Sequence, residues 1–189
     1  LNQSGQTPLF NAVRLDSSSM TEDLISHGAD GSVRDNMGNT LLHVGVRHGA
    51  TQAIGALLEG GFRVDARNSM GMSALHTAAE AGSVELVNML IGFGADVEAR
   101  DNVGDTPLVH AILLRDIKMM ATLVANGADV ATRNNLGDTP LHHGIAEGLP
   151  ESYQPLLAKG ADLYAERYDG QSPLDFALQN GIEHIDRLV

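Results

Sequence analysis

A glycine recurs every 33 residues through this chain, at Gly5, Gly38, Gly71, Gly104, Gly137 and Gly170. A second set, Gly28, Gly61, Gly94, Gly127 and Gly160, keeps the same interval. A fixed period of this length, held over nearly all of 189 residues, restricts the fold to an array of like supersecondary units. No unit in such an array buries its apolar face alone, so the units must stack. The period predicts a single repeat domain over residues 1–189, with five full units and a truncated sixth.

Each unit reads as two helices and a projecting loop. After every marker glycine come a hydroxyl residue, usually proline, then leucine: Thr7-Pro8-Leu9, Thr40-Leu41-Leu42, Ser73-Ala74-Leu75, Thr106-Pro107-Leu108, Thr139-Pro140-Leu141 and Ser172-Pro173-Leu174. The hydroxyl caps a helix start and proline suits the first helical position, where its missing N–H is not needed. Three residues beyond the leucine stands a small residue (Ala12, Gly45, Ala78, Ala111, Gly144, Ala177), predicted to let a helix of the next unit approach. A second helix ends in paired apolar residues such as Leu57-Leu58 and Leu90-Ile91, then stops at the other glycine. Ser19 with Glu22 has the spacing of a capping box for the first of these helices. The ten or so residues before the next marker glycine carry turn formers and suit a hairpin-like loop.

The pattern Gly137-Asp138-Thr139-Pro140-Leu141-His142, with Gly-Ala-Asp at 28–30, 94–96, 127–129 and 160–162, resembles ankyrin repeats over essentially the whole chain. The resemblance implies an all-α repeat solenoid of stacked helix-turn-helix units with projecting β-hairpin-like loops. Several departures stand out. Gly61-Phe62-Arg63 replaces Gly-Ala-Asp, and Arg115-Asp116 replaces a linking glycine. Pro155 falls inside a second helix, which is expected to be kinked, shortened or started late. In the sixth unit Asp175 takes the usual histidine position, and Glu183, His184, Asp186 and Arg187 suit an end cap.

Twelve basic against 24 acidic side chains give a net charge of −12, which repels phosphate backbones and anionic lipid. Nucleic-acid binding is therefore disfavoured, and no apolar run reaches the roughly 18–20 residues of a spanning helix. The chain has no cysteine, which fits an intracellular, cytoplasmic setting and leaves no thiolate metal site. It opens on Leu1 and stops part-way through a unit, which suggests a segment of a longer protein.

Eight histidines invite a metal reading. His43, His76 and His142 share one repeat position, however, and the resemblance implies a structural hydrogen-bonding role for it. His142 and His143 point about 100° apart on a helix, poor geometry for a shared metal. No nucleophile with a base, carboxylate pair or phosphate-cradling loop is present. The reading is a non-enzyme without cofactor or metal.

The loops hold the candidate binding residues. Four residues before each marker glycine stand Arg34, Arg67, Arg100 and Arg133; just before it stand Met37, Met70, Val103 and Leu136. The resemblance implies a protein partner held by hairpin tips and the concave face of the first helices. Asn39, Met72, Asp105 and Asp138 after the glycine, and Arg47, His48, Glu80, Leu113 and Glu147 near the ends of first helices, would complete that surface. Two readings fit the arginines: pairing with an acidic, apolar partner segment, or pairing with nearby acids such as Asp35 and Asp101 as scaffold. The apolar tips likewise either meet a partner or pack on the next hairpin. The function expected is a non-catalytic, monomeric protein-binding scaffold. The alternative is a targeting or autoinhibitory module of a larger enzyme or effector.

Overall fold

The computed structural model describes residues 7–148 and 150–182. Among them are eleven α-helices and no strand. The first helices of the six repeats are α1 (Pro8–Arg14), α3 (Leu41–Arg47), α5 (Ala74–Glu80), α7 (Pro107–Leu113), α9 (Pro140–Ala146) and α11 (Pro173–Gln179). The second helices are α2 (Ser18–Ser26), α4 (Thr51–Glu59), α6 (Val84–Gly92), α8 (Ile117–Ala125) and α10 (Pro150–Ala158). Every helix start repeats at 33 residues, as the glycine period requires.

The hydroxyl residues do occupy the N-caps of the first helices. Among the second helices α2 corrects one expectation. Ser17, not Ser19, is its cap, accepting from Met20 N at 3.3 Å, and Ser19 lies within the helix. Helix α4 has Ala50 at its cap and no side-chain acceptor of its own. Asp16 of the preceding repeat fills that role, accepting from Ala53 N at 2.9 Å.

The chain divides into two compact units, residues 1–102 and 103–189. In the first, α3 packs between α1 and α5, each first helix lies against its own second helix, and α2 touches α4. Leu9, Phe10, Leu41, Leu42, Ile54, Leu57, Leu75, Leu86 and Leu90 form its core. In the second, α9 packs between α7 and α11, and α8 touches α10 over a core that includes Leu108, Ile112, Met119, Leu123, Leu141, Ile145 and Leu156. Each such apolar side chain contributes roughly 1.5–3 kcal/mol on burial.

The small residue of the first helices admits chiefly the second helix of its own repeat. A Cβ at Gly45 would lie 2.8 Å from Ile54 of α4, and one at Gly144 would lie 2.5 Å from the Ser152 carbonyl oxygen of α10. The neighbouring repeat comes second, with Val13 of α1 at 3.2 Å from that Gly45 position.

Pro155 neither shortens nor delays α10, which spans the same nine residues of the repeat as its counterparts. The carbonyl of Glu151, which loses its N–H partner, belongs to an exposed residue within reach of water. Between helices, Asp16 and Arg115 stand where Gly49, Gly82 and Gly148 do, and adopt positive φ (51° and 58°) without being glycine. The end-cap residues Glu183, His184, Asp186 and Arg187 lie outside the described residues.

Candidate protein-binding surface

Three of the hairpins are built around one side chain that accepts two backbone N–H groups. Asp35 Oδ1 takes those of Met37 and Asn39, both at 2.9 Å. Asn68 Oδ1 takes those of Met70 and Met72, and Asn134 Oδ1 those of Leu136 and Asp138. The marker glycine completes the turn with positive φ (73° at Gly38, 77° at Gly71), a region costly for residues with a Cβ.

Consecutive hairpins are then joined through the backbone at their tips. In the first unit Ser69 N donates to Met37 O at 3.1 Å, and Asn102 N to Met70 O at 3.0 Å. In the second, Asn135 N donates to Val103 O at 3.0 Å and Tyr168 N to Leu136 O at 3.3 Å. The tip backbones are fixed while their side chains face water. Met37, Met70, Val103 and Leu136 are 50%, 53%, 56% and 58% exposed, so packing on the next hairpin does not consume them.

The arginines are held differently. Arg34 Nη1 donates to Gly38 O at 2.8 Å and to Arg67 O; Arg67 Nε donates to Gly71 O at 2.6 Å. Arg133 Nη1 repeats the pattern toward Gly137 O and Glu166 O. Arg100 is exposed and is also engaged within the molecule. For Arg34 and Arg67 the scaffold reading thus gains backbone carbonyls, rather than neighbouring carboxylates, as acceptors.

The four residues after the glycines are corrected as surface candidates. Asn39 is 0% exposed, bonding Asp35 Oδ2 and accepting from Asn68 Nδ2 of the next hairpin at 3.0 Å. Met72 is 3% exposed, and its carbonyl accepts from His43 Nε2 at 2.8 Å. Asp105 Oδ1 accepts from Asn134 Nδ2 at 2.8 Å, and Asp138 pairs with Arg167 Nη1 at 3.3 Å; both carboxylates are buried. These side chains link one hairpin to the next instead of facing a partner. At the ends of the first helices Arg47, His48, Glu80 and Leu113 are exposed as expected, while Glu147 is ion-paired with Arg115 Nε at 2.8 Å.

The shared histidines are structural. His43 Nδ1 accepts from Thr40 N at 3.3 Å and meets Thr40 Oγ1 at 2.8 Å. Accepting a backbone N–H places the ring proton on Nε2, which donates to Met72 O. Burial lowers the pKa of His43, and of His142 in the same setting. Asp175 fills this role in the last repeat, its Oδ2 accepting from Ser172 N at 2.8 Å and Ser172 Oγ at 2.7 Å. His143 turns instead toward Asp105 and Asn134. Among the described residues no group of three or more His, Asp or Glu side chains is placed to hold a metal.

The repeat geometry matches known proteins. A family model described as ankyrin repeats fits this chain three times, over residues 1–68, 53–134 and 75–167. The chain belongs to the ankyrin-repeat family. A solved relative is the ankyrin repeat domain of Bcl-3, described as a unique member of the IkappaB protein family. It is 32% identical, with a TM-score of 0.87 over 93% of this chain and 79% of that one. No curated protein matches. Ankyrin repeats are in general protein–protein interaction modules. No helix among the described residues is long and apolar enough to cross a membrane.

One pair of ankyrin-repeat departures went unjoined in the sequence. Gly31 stands where the other hairpins have Val64, Val97, Val130 and Leu163, and the Phe62 ring lies over it. The missing apolar residue at 31 was the available signal.

Proposed function

We propose that this ankyrin-repeat chain is a non-catalytic scaffold that holds a protein partner on its hairpin tips and on the exposed ends of its first helices. The observation that carries the reading is the set of apolar tips, at least half exposed on hairpins whose backbones are already bonded. Methionine is enriched at protein interfaces, and a fixed backbone lowers the ordering cost of binding. Arg34, Arg67 and Arg133 spend donors on carbonyls, which fixes the place of their charge on the surface. The partner segment that fits is extended, with apolar side chains for the tips and acidic groups for the arginines.

The test is affinity capture from cognate lysate with wild type, a Met37→Ser/Met70→Ser/Leu136→Ser variant and a Lys118→Ser control, each checked for equal melting. Lys118 is exposed on α8, a second helix, and is not part of a hairpin. A partner held by wild type and the control but lost by the folded tip variant supports the reading. A partner held equally by all three refutes it.

A further inference from the structure

A cavity of 700 Å³ opens in the first unit between the hairpins at 31–34 and 61–67, floored by Leu41 and Leu42. It owes its shape to the paired departures. With no side chain at Gly31, the Phe62 ring occupies the space that an apolar residue fills in the other hairpins, and a Cβ there would lie 2.1 Å from Phe62 Cε1. The ring forms one wall.

The charge of the cavity runs against that of the chain. Arg34, Arg63 and Arg67 line it, against Asp65 as the acid, in a protein of net charge −12. Asp65 is already engaged, its Oδ1 accepting from Asp96 N at 3.0 Å. Arg63 is exposed, and its side chain makes no hydrogen bond or ion pair among the described residues. Arg34 uses only Nη1 and Arg67 only Nε, which leaves Nη2 of the first and both Nη of the second for a ligand. Guanidinium forks suit carboxylates in two-point contact. An aromatic wall and a leucine floor suit an adjacent apolar side chain.

The geometry points to this cavity as a docking site for an acidic protein segment, a carboxylate meeting Arg63 and its neighbours while a flanking apolar side chain lies against Phe62. The assignment rests on the protein-binding reading above and gives it a site the repeat pattern does not supply. Arg63 and Phe62 stand where the other repeats carry Asp and Ala, so the site is particular to this position in the array.

The test uses fluorescence anisotropy with a labelled peptide of alternating Asp and Leu, and the same peptide with Asn for Asp. The proteins are wild type, Arg63→Glu, and Gly31→Val/Phe62→Ala, the last restoring the residues of the other hairpins. The expected result is binding of the Asp peptide about tenfold tighter than the Asn peptide. Each cavity variant should lose about tenfold with melting unchanged, and Met37→Ser/Met70→Ser should keep the affinity. Equal binding of both peptides, or full affinity in both cavity variants, overturns the assignment. So does displacement by inorganic phosphate as effective as by unlabelled peptide, which would mark a small-anion site. Should the double variant fold poorly, Arg63→Glu decides alone, since that side chain supports nothing in the fold. Loss in the tip variant with retention in both cavity variants would refute the cavity and leave the tips standing.

Discussion

Replacing His43 by alanine removes a buried connector between the start of α3 and the following hairpin. The imidazole is fully enclosed, accepts from Thr40 N and donates to Met72 O at 2.8 Å. Truncation removes one of two donors to the Met72 carbonyl, which keeps the Asn68 N–H at 2.9 Å, so the loss there is that of one hydrogen bond, about 0.5–1.5 kcal/mol. Thr40 N–H is only partly buried, so water recovers some of its loss. The void left by the ring adds to the cost, and the higher helix propensity of alanine returns about 0.5 kcal/mol. The net expectation is a loss of about 1–3 kcal/mol, a fall in melting temperature of roughly 2–4 °C per kcal/mol at this size. Urea unfolding followed by circular dichroism at constant m-value measures it. A loss below about 0.5 kcal/mol refutes the connector account.

The same residue makes stability depend on pH with a defined sign. Burial holds the pKa of His43 and His142 below the ordinary histidine value, so below about pH 6.5 the unfolded chain binds more protons than the folded one. Their contribution is therefore complete above about pH 6.5 and is lost as pH falls from there toward the folded values. Asp175, lowered by hydrogen bonds from Ser172 Oγ and N, acts in a separate window below about pH 4. The urea midpoint of wild type should decline between about pH 7 and pH 5, and less steeply in His43→Ala. Parallel slopes in the two proteins would show that another group carries the dependence.

Two further substitutions probe the hairpins and helices. Gly71→Ala forces alanine to φ 77° and places its Cβ 2.7 Å from Asn102 N, which disrupts the tip bond to Met70 O. We expect a loss of about 2–4 kcal/mol, against about 1 for Gly28→Ala, where φ is also 77° but nothing lies within 4 Å. Equal urea midpoints for the two variants would deny the close approach any role. Pro155→Ala restores a helical N–H donor for the Glu151 carbonyl and should raise stability by about 1–2 kcal/mol, after the greater freedom of the unfolded chain is deducted. A midpoint that falls would mean that α10 is built around the proline.

The sequence showed the helix pairs plainly because period, caps and glycine stops all act within a few residues of one another. Thr106-Pro107 opens α7 and Gly94 lies just beyond the end of α6, as local rules require. The cap of α2 was misplaced within a run of serines, although Ser17 shares its repeat position with Ser83 and Asp116, the caps of α6 and α8. The hairpin side chains were harder to place. Asn39, Asp105 and Asp138 follow a turn glycine and have the composition of a surface, yet their partners lie 29 residues on, at Asn68, Asn134 and Arg167. Spacing along a chain does not say which way a side chain turns.

That failure has a general cause in an array of like units. A residue recurring every 33 positions meets the same neighbour in each repeat, so repetition alone is as well explained by a bond between units as by a partner. Arg34 bonds Gly38 O and Arg67 O, Arg133 bonds Gly137 O and Glu166 O, and the regularity that made the row look like a binding surface comes from the stacking itself. A periodic feature points outward only when its neighbours leave it uncovered, and the exposed tips Met37, Met70, Val103 and Leu136 meet that condition. Aperiodic features carry the opposite inference. Gly31, Phe62 and Arg63 break the pattern within one pair of hairpins, stacking does not require them, and together they shape a basic cavity in an acidic chain. Selectivity among partners therefore has to come from the departures, because the repeated surface is what this chain shares with any other array of its kind.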